Sequence, residues 1–201
     1  MSMTFADTLR PATQRKARAY DVALVLGGSL LIALSAYIRI PLPFSPIPVT
    51  GQTLTVLLLG ALLGSRRGTL AVLAYLAEGC LGLPIFQGGH AGLLYLLGSP
   101  TAGYLIGFIF AAYVTGRLAE QGWDRHVATT CLAMLIGNLI IYACGVSWLA
   151  TRLGTFLGSQ GSLALGLYPF IPGDILKITL ATGLLPSGWK LVNTISGGTH
   201  D

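Results

Sequence analysis

Asp174 and Lys177 stand three residues apart in the stretch Tyr168 to Lys177, Y-P-F-I-P-G-D-I-L-K. They head an apolar run that continues through Ile178, Leu180, Ala181, Leu184 and Leu185. On a helix this spacing sets both side chains on one face. A carboxylate accepts hydrogen bonds and an ammonium donates them, so the pair could grip a compact solute carrying both kinds of group. Charges inside an apolar segment are costly; where they occur they face a bundle interior and mark a functional site. The plainer alternative is a structural ion pair that pins one helix against its neighbours.

Further polar candidates are the amides of Gln52, Gln87 and Asn138, with Tyr104, Tyr95, Phe86, Phe170 and Trp148 as possible apolar walls. Small-molecule sites combine such walls with a few placed polar groups. Each candidate has a structural alternative. Asn138 could bond helix to helix, Gln52 could cap one, and Tyr95 and Trp148 could belong to an interfacial aromatic belt.

Catalysis finds little support. A serine nucleophile needs a base within reach, and His90 stands in a glycine-rich loop with no serine motif beside it. There is no G-x-x-x-x-G-K-[ST] phosphate loop, so the chain is not expected to hydrolyse ATP or to be an enzyme. Cys80, Cys131 and Cys144, and the histidines at 90, 126 and 200, show no metal-ligand spacing. Neither metal nor cofactor is expected. The net charge of +5 comes from dispersed cations, which argues against nucleic acid.

Composition sets the medium. The chain is 53% hydrophobic and 9% charged, with a mean hydropathy of +0.73; soluble domains carry about 25% charged residues. An all-α integral membrane protein follows, with the lipid bilayer as its surroundings and one domain over residues 1–201. Residues 1–19 form a polar N-terminal segment, 20–186 a bundle of six transmembrane helices, and 187–201 a tail. The apolar runs cover about 20–38, 52–63, 69–83, 101–118, 127–149 and 168–186. The first resembles a signal peptide, but further spans follow, so it is expected to remain. Pro41, Pro43, Pro46 and Pro48 exclude regular helix between the first two runs. Residues 84–100 are too glycine-broken for a span and suit a lid or pocket wall. Residues 150–167 read as a loop with a short interfacial helix. Gly103-x-x-x-Gly107 and Ala112-x-x-x-Gly116 allow close helix contacts.

Loops on one side hold Arg10, Arg15, Lys16, Arg18, Arg66, Arg67, Arg117, Arg125 and Lys190; the other side holds Arg39 and Arg152. Cytoplasmic loops carry the excess of Lys and Arg, so both termini are expected in the cytoplasm. Asp174 and Lys177 then open outward.

Three segments carry a family resemblance: P-F-S-P-I-P-V-T-G-Q-T-L from Pro43 with the following L-L-L-G-A-L-L-G-S-R-R-G, then G-L-P-I-F-Q-G-G-H-A-G-L from Gly82 with the following Y-L-L-G from Tyr95 and G-Y-L-I-G-F from Gly103, then P-F-I-P-G-D-I-L-K. Together, over about residues 39–185, they resemble the BioY family, the biotin-specific substrate-binding S components of energy-coupling factor (ECF) transporters. At 98–103 this chain has G-S-P-T-A-G where the family usually has G-P-T-G-G. The resemblance implies an S-component-like bundle in the bacterial cytoplasmic membrane that captures biotin with high affinity. It also implies a transmembrane coupling protein and ATPase subunits as partners. Asp174 and Lys177 match the family's biotin-contacting pair, and Gln52 and Tyr104 lie in strongly matching segments. Small residues on the first helix meet the coupling protein in S components, which here points to Ala19, Ala23, Ser29 and Ala33. A self-sufficient ion-coupled vitamin carrier, with Asp174 as proton relay, is the alternative.

Overall fold

The computed structural model describes residues 3–158 and 160–197. A one-turn helix α1 (Phe5–Thr8) precedes α2 (Gln14–Tyr37). The strands β1 (Arg39–Ile40) and β2 (Val49–Thr50) pair antiparallel and close the proline run into a loop. Then come α3 (Gln52–Cys80), α4 (Leu93–Gly98), α5 (Ala102–Ala119), α6 (Val127–Leu153), α7 (Ser162–Gly166) and α8 (Ile171–Gly197).

Among the described residues, five helical segments are long and apolar enough to cross a membrane, with α7 and α8 taken together over Ser162–Val192. One of them, α3, is broken. Gly64 has φ 84° and ψ 172°, a conformation open only to glycine. A Cβ at Gly68 would come within 2.9 Å of the Gly60 Cα. Gln52 hydrogen-bonds Tyr75, 23 positions away, a separation of roughly 35 Å along a straight helix. The chain therefore reverses at Gly64, and α3 is two antiparallel limbs, 52–63 and 65–80. The turn expected over Gly64–Gly68 is made by a single residue.

Small residues bring the bundle together. The limbs of α3 pack on α5, where a side chain at Gly116 would strike the backbone of Gly64 and Ser65. Gly107 sits against Ile141 of α6, where a Cβ would lie 3.0 Å from the Ile141 Cα. Both expected small-residue spacings on α5 are thus used. The core contains Tyr75, Phe86, Ile32, Met134, Ile141 and Leu149, all fully buried. Outside it, Leu26, Leu30, Leu34, Phe110, Leu139, Ile175, Leu176 and Leu184 stay exposed. Apolar helices with apolar outer faces belong in lipid, where no aqueous penalty applies.

Helical structure extends beyond the expected 20–186 at both ends. The α2 helix begins at Gln14, and α8 passes through Pro186 to Gly197. Proline removes one backbone hydrogen bond, yet the turn beyond it is anchored. The Trp189 indole donates to Asp124 at 2.5 Å and packs on Phe5 at 4.3 Å. Residues 198–201 of the expected tail lie outside the described residues.

Candidate functional site

Local sequence explains how α8 presents its charges. Pro172 occupies the first turn, where a missing N–H would have no partner anyway. Asp174 lies in the same turn, where the helix dipole favours a carboxylate. Lys177 follows one turn later on the same face.

Both side chains point into a cavity between α3, α5, α6 and α8. Asp174 is 7% exposed. Its Oδ2 accepts a hydrogen bond from the Tyr142 hydroxyl of α6. Lys177 Nζ donates to Thr53 Oγ1 at 2.8 Å and reaches Asp174 Oδ1 only at 3.5 Å. The two charges thus make their short bonds to hydroxyls and a long one to each other. Ile47, Leu105, Phe108, Ile141 and Phe170 provide apolar walls. The enclosed space is ≈ 50 Å³, room for a few waters. Solute pockets run to about 300 Å³ and more, so the walls must give way for a solute to enter.

Gln52, Gln87 and Tyr104 also line this cavity. Gln52 Nε2 donates to the Tyr75 hydroxyl at 2.9 Å, and Tyr104 donates to the Gly166 carbonyl at 2.7 Å. Gln87 makes a long 3.4 Å contact with Thr101 Oγ1, which leaves its amide the most weakly held. Where the family's usual turn is altered, Ser99 Oγ meets Thr101 Oγ1 at 2.6 Å and accepts from its backbone N–H at 3.1 Å. This chain's own serine thus shapes the turn before Tyr104.

Other candidates fall elsewhere. Asn138 does not line this cavity but a smaller gap, shared with Leu54, Met134 and Lys177. Phe86 is core, edge-on to Tyr75 and stacked with Tyr95. Trp148 donates to the Ser99 carbonyl at 3.0 Å on the far side of α6. Tyr95 stacks on His90 at 4.4 Å, and both line a wider cavity of ≈ 470 Å³ that shares Pro48 and Gln87 with the inner one. Of the residues expected on a partner-facing stripe, Ala19 and Ala23 are exposed. Ser29 and Ala33 are buried, with Ser29 donating to Glu78 at 2.5 Å. That half of the stripe packs inside this chain, because the second limb of α3 covers it.

Sequence reasoning missed Tyr142 and Thr53. Tyr142 stands four residues after Asn138, hence on the same helical face, but nothing local distinguishes it from a lipid-facing tyrosine. Thr53 adjoins Gln52 at the start of α3, and only the fold brings it to Lys177.

These features define a multi-pass helical membrane protein built round a buried polar cavity near one end. The chain belongs to the BioY family, which matches residues 10–194. It is 40% identical over 169 residues to the biotin transporter BioY of Rhizobium etli, covering 80% of this chain and 87% of that protein. It is 41% identical over 175 residues to the biotin transporter BioY of Rhodobacter capsulatus, covering 82% and 90%. The fold resembles the crystal structure of the S-component for biotin from an ECF-type ABC transporter. The TM-score is 0.74 at 26% identity, over 90% of this chain and 95% of that one.

Proposed function

We propose that this protein is the biotin-binding subunit of an ECF-type transporter, taking up biotin across the bacterial cytoplasmic membrane. The observation that carries this reading is the Asp174–Lys177 pair, buried yet only loosely joined. It stands in a chain whose relatives are named biotin transporters. Biotin's ureido ring has two N–H donors beside one carbonyl acceptor. Asp174 would accept from the N–H groups in exchange for the Tyr142 hydroxyl, and Lys177 would donate to the carbonyl in exchange for Thr53. The cavity's apolar walls would cover the thioether ring, with Gln52, Gln87 and Tyr104 completing the polar edge. A ligand without the ureido group would leave buried charges unpaired, the strongest basis for rejection.

In this reading the single membrane domain crosses six times, counting each limb of α3, with both termini in the cytoplasm. The bias of Lys and Arg supports that orientation. The proline loop and the segment 84–100 then border the outer mouth and must move to admit the solute. Lacking a phosphate loop, the chain would depend on a coupling protein and ATPase subunits, and exposed Ala19 and Ala23 are the residues available on α2 to meet them. Titration calorimetry of the purified protein tests the reading. Saturable biotin binding at or below micromolar concentration is expected, and absence of binding there overturns it.

A further inference from the structure

Another cavity lies away from this site. It is a groove of ≈ 780 Å³ between α2 and the second limb of α3. Val22, Val25 and Leu26 form one wall, Leu70, Leu73 and Ala77 the other, and Arg10, Arg66 and Arg67 stand at its mouth. We infer that this groove holds one acyl chain of an anionic glycerophospholipid, whose phosphate pairs with Arg66, in the leaflet on the N-terminal side.

Three observations carry this. The first is length. Arg66 to Ala77 spans roughly 16 Å of helix, close to the ~15 Å depth of one leaflet's hydrocarbon. Just beyond Ala77, Ser29 donates to Glu78 at 2.5 Å and ties α2 to the second limb of α3. The second is charge. Asp7 and Asp21 are engaged by Arg67 at 2.8 and 2.7 Å, and Asp21 also by Arg10 at 2.6 Å. Glu120 accepts from Ser65 and Arg117. Exposed Arg66 makes no ion pair or hydrogen bond among the described residues, so the mouth retains one unmatched guanidinium. Arg18, one turn before Val22 and also exposed, adds to it on the same face of α2. The third is setting. Both walls belong to segments apolar enough to cross a membrane, so the molecules that reach the groove are lipids. Basic pockets between membrane helices at the headgroup level suit anionic lipids.

Native mass spectrometry of the purified protein in neutral detergent tests this, with phosphatidylglycerol, phosphatidylcholine of the same chains, and glycerol phosphate as probes. Phosphatidylglycerol should be retained in preference to phosphatidylcholine. R66Q should lower its retention about fivefold, the effect of one basic residue near an anionic surface. A74F, which fills the groove, should lower retention of either lipid. Calorimetry should find biotin binding unchanged in R66Q, so failure here is distinguishable from failure of the biotin site. Equal retention of the two lipids, an undiminished preference in R66Q, or equal competition by glycerol phosphate would each overturn the inference.

Discussion

The two ends of the bundle treat charge in opposite ways. At the N-terminal side Arg67 holds Asp7 and Asp21 at 2.8 and 2.7 Å, and Arg10 closes on Asp21 at 2.6 Å. At the other end the partners Asp174 and Lys177 lie 3.5 Å apart and lean on Tyr142 and Thr53 instead. The first cluster is saturated, and a ligand would have to break short ion pairs to enter it. The second holds its charges with neutral hydroxyls, which an incoming donor or acceptor can replace at small cost, since the net worth of one such hydrogen bond is modest. In the proposed reading, loose pairing in a buried place suits a site that exchanges partners, whereas the tight pairing fastens α1, α2 and α3.

Substitutions at each end test that contrast. The largest effect is expected from Asp174→Ala: biotin affinity should fall at least about 100-fold, as when one partner of a desolvated charged contact is removed. Calorimetry measures the loss, and a merely lowered melting temperature with affinity intact would make the pair structural. Arg67→Met should do the reverse, lowering stability by about 1 kcal/mol by taking the shared guanidinium from Asp7 and Asp21, which keep Thr4 and Arg10 as partners, with biotin affinity unchanged. Chemical denaturation and calorimetry on the same sample separate the two, and weakened binding would break the comparison. Tyr142→Phe should leave affinity unchanged or raise it by up to about tenfold if biotin displaces the hydroxyl, because the free protein then lacks the one hydrogen bond to a charged group that biotin must otherwise replace. A loss as large as that in Asp174→Ala would instead make the tyrosine a direct ligand contact.

The smallest effect concerns pH at the tight end. Burial pushes the Asp124 carboxyl above the usual carboxylate range, and the hydrogen bond from Trp189 offsets this only in part. Its Oδ1 has no partner among the described residues. Burial also acts to raise Asp7 and Glu120, but hydrogen bonds from Arg67 and Thr4, and from Ser65 and Arg117, leave both below that range. The signs are therefore opposite. Asp124 binds its proton more tightly when folded, so its contribution is present below about pH 4 and is lost as pH rises through its raised value. Asp7 and Glu120 contribute above about pH 4, and that stability is lost on acidification. Melting temperatures of wild type and Asp124→Asn should converge at low pH and diverge, with the variant the more stable, towards neutrality. A variant less stable than wild type at neutral pH would show that the ionised Asp124 is properly paired.

Much of this was legible in the sequence because the signals were local. An apolar chain with so few charges had to be a membrane bundle, and a Lys and an Asp one turn apart in an apolar run had to share a face. Pro186 misled because its local rule was outweighed by a distant one. Trp189 is fixed by Asp124 and Phe5, residues 65 and 184 positions away. Ser29 and Ala33 misled for a related reason: small-residue spacing marks a close packing face but does not say whose helix fills it.

The sequence by itself determined the medium, the helical runs and the charged pair on one face, since each depends on residue type and short-range periodicity. Only the tertiary structure decided that Gly64 folds α3 back on itself, since a φ of 84° becomes apparent only when Gln52 is found beside Tyr75. It also chose the hydroxyls of Tyr142 and Thr53 as partners for the pair. Those partners come from other helices, and which helix face meets which follows from packing across the whole bundle, which no local pattern encodes.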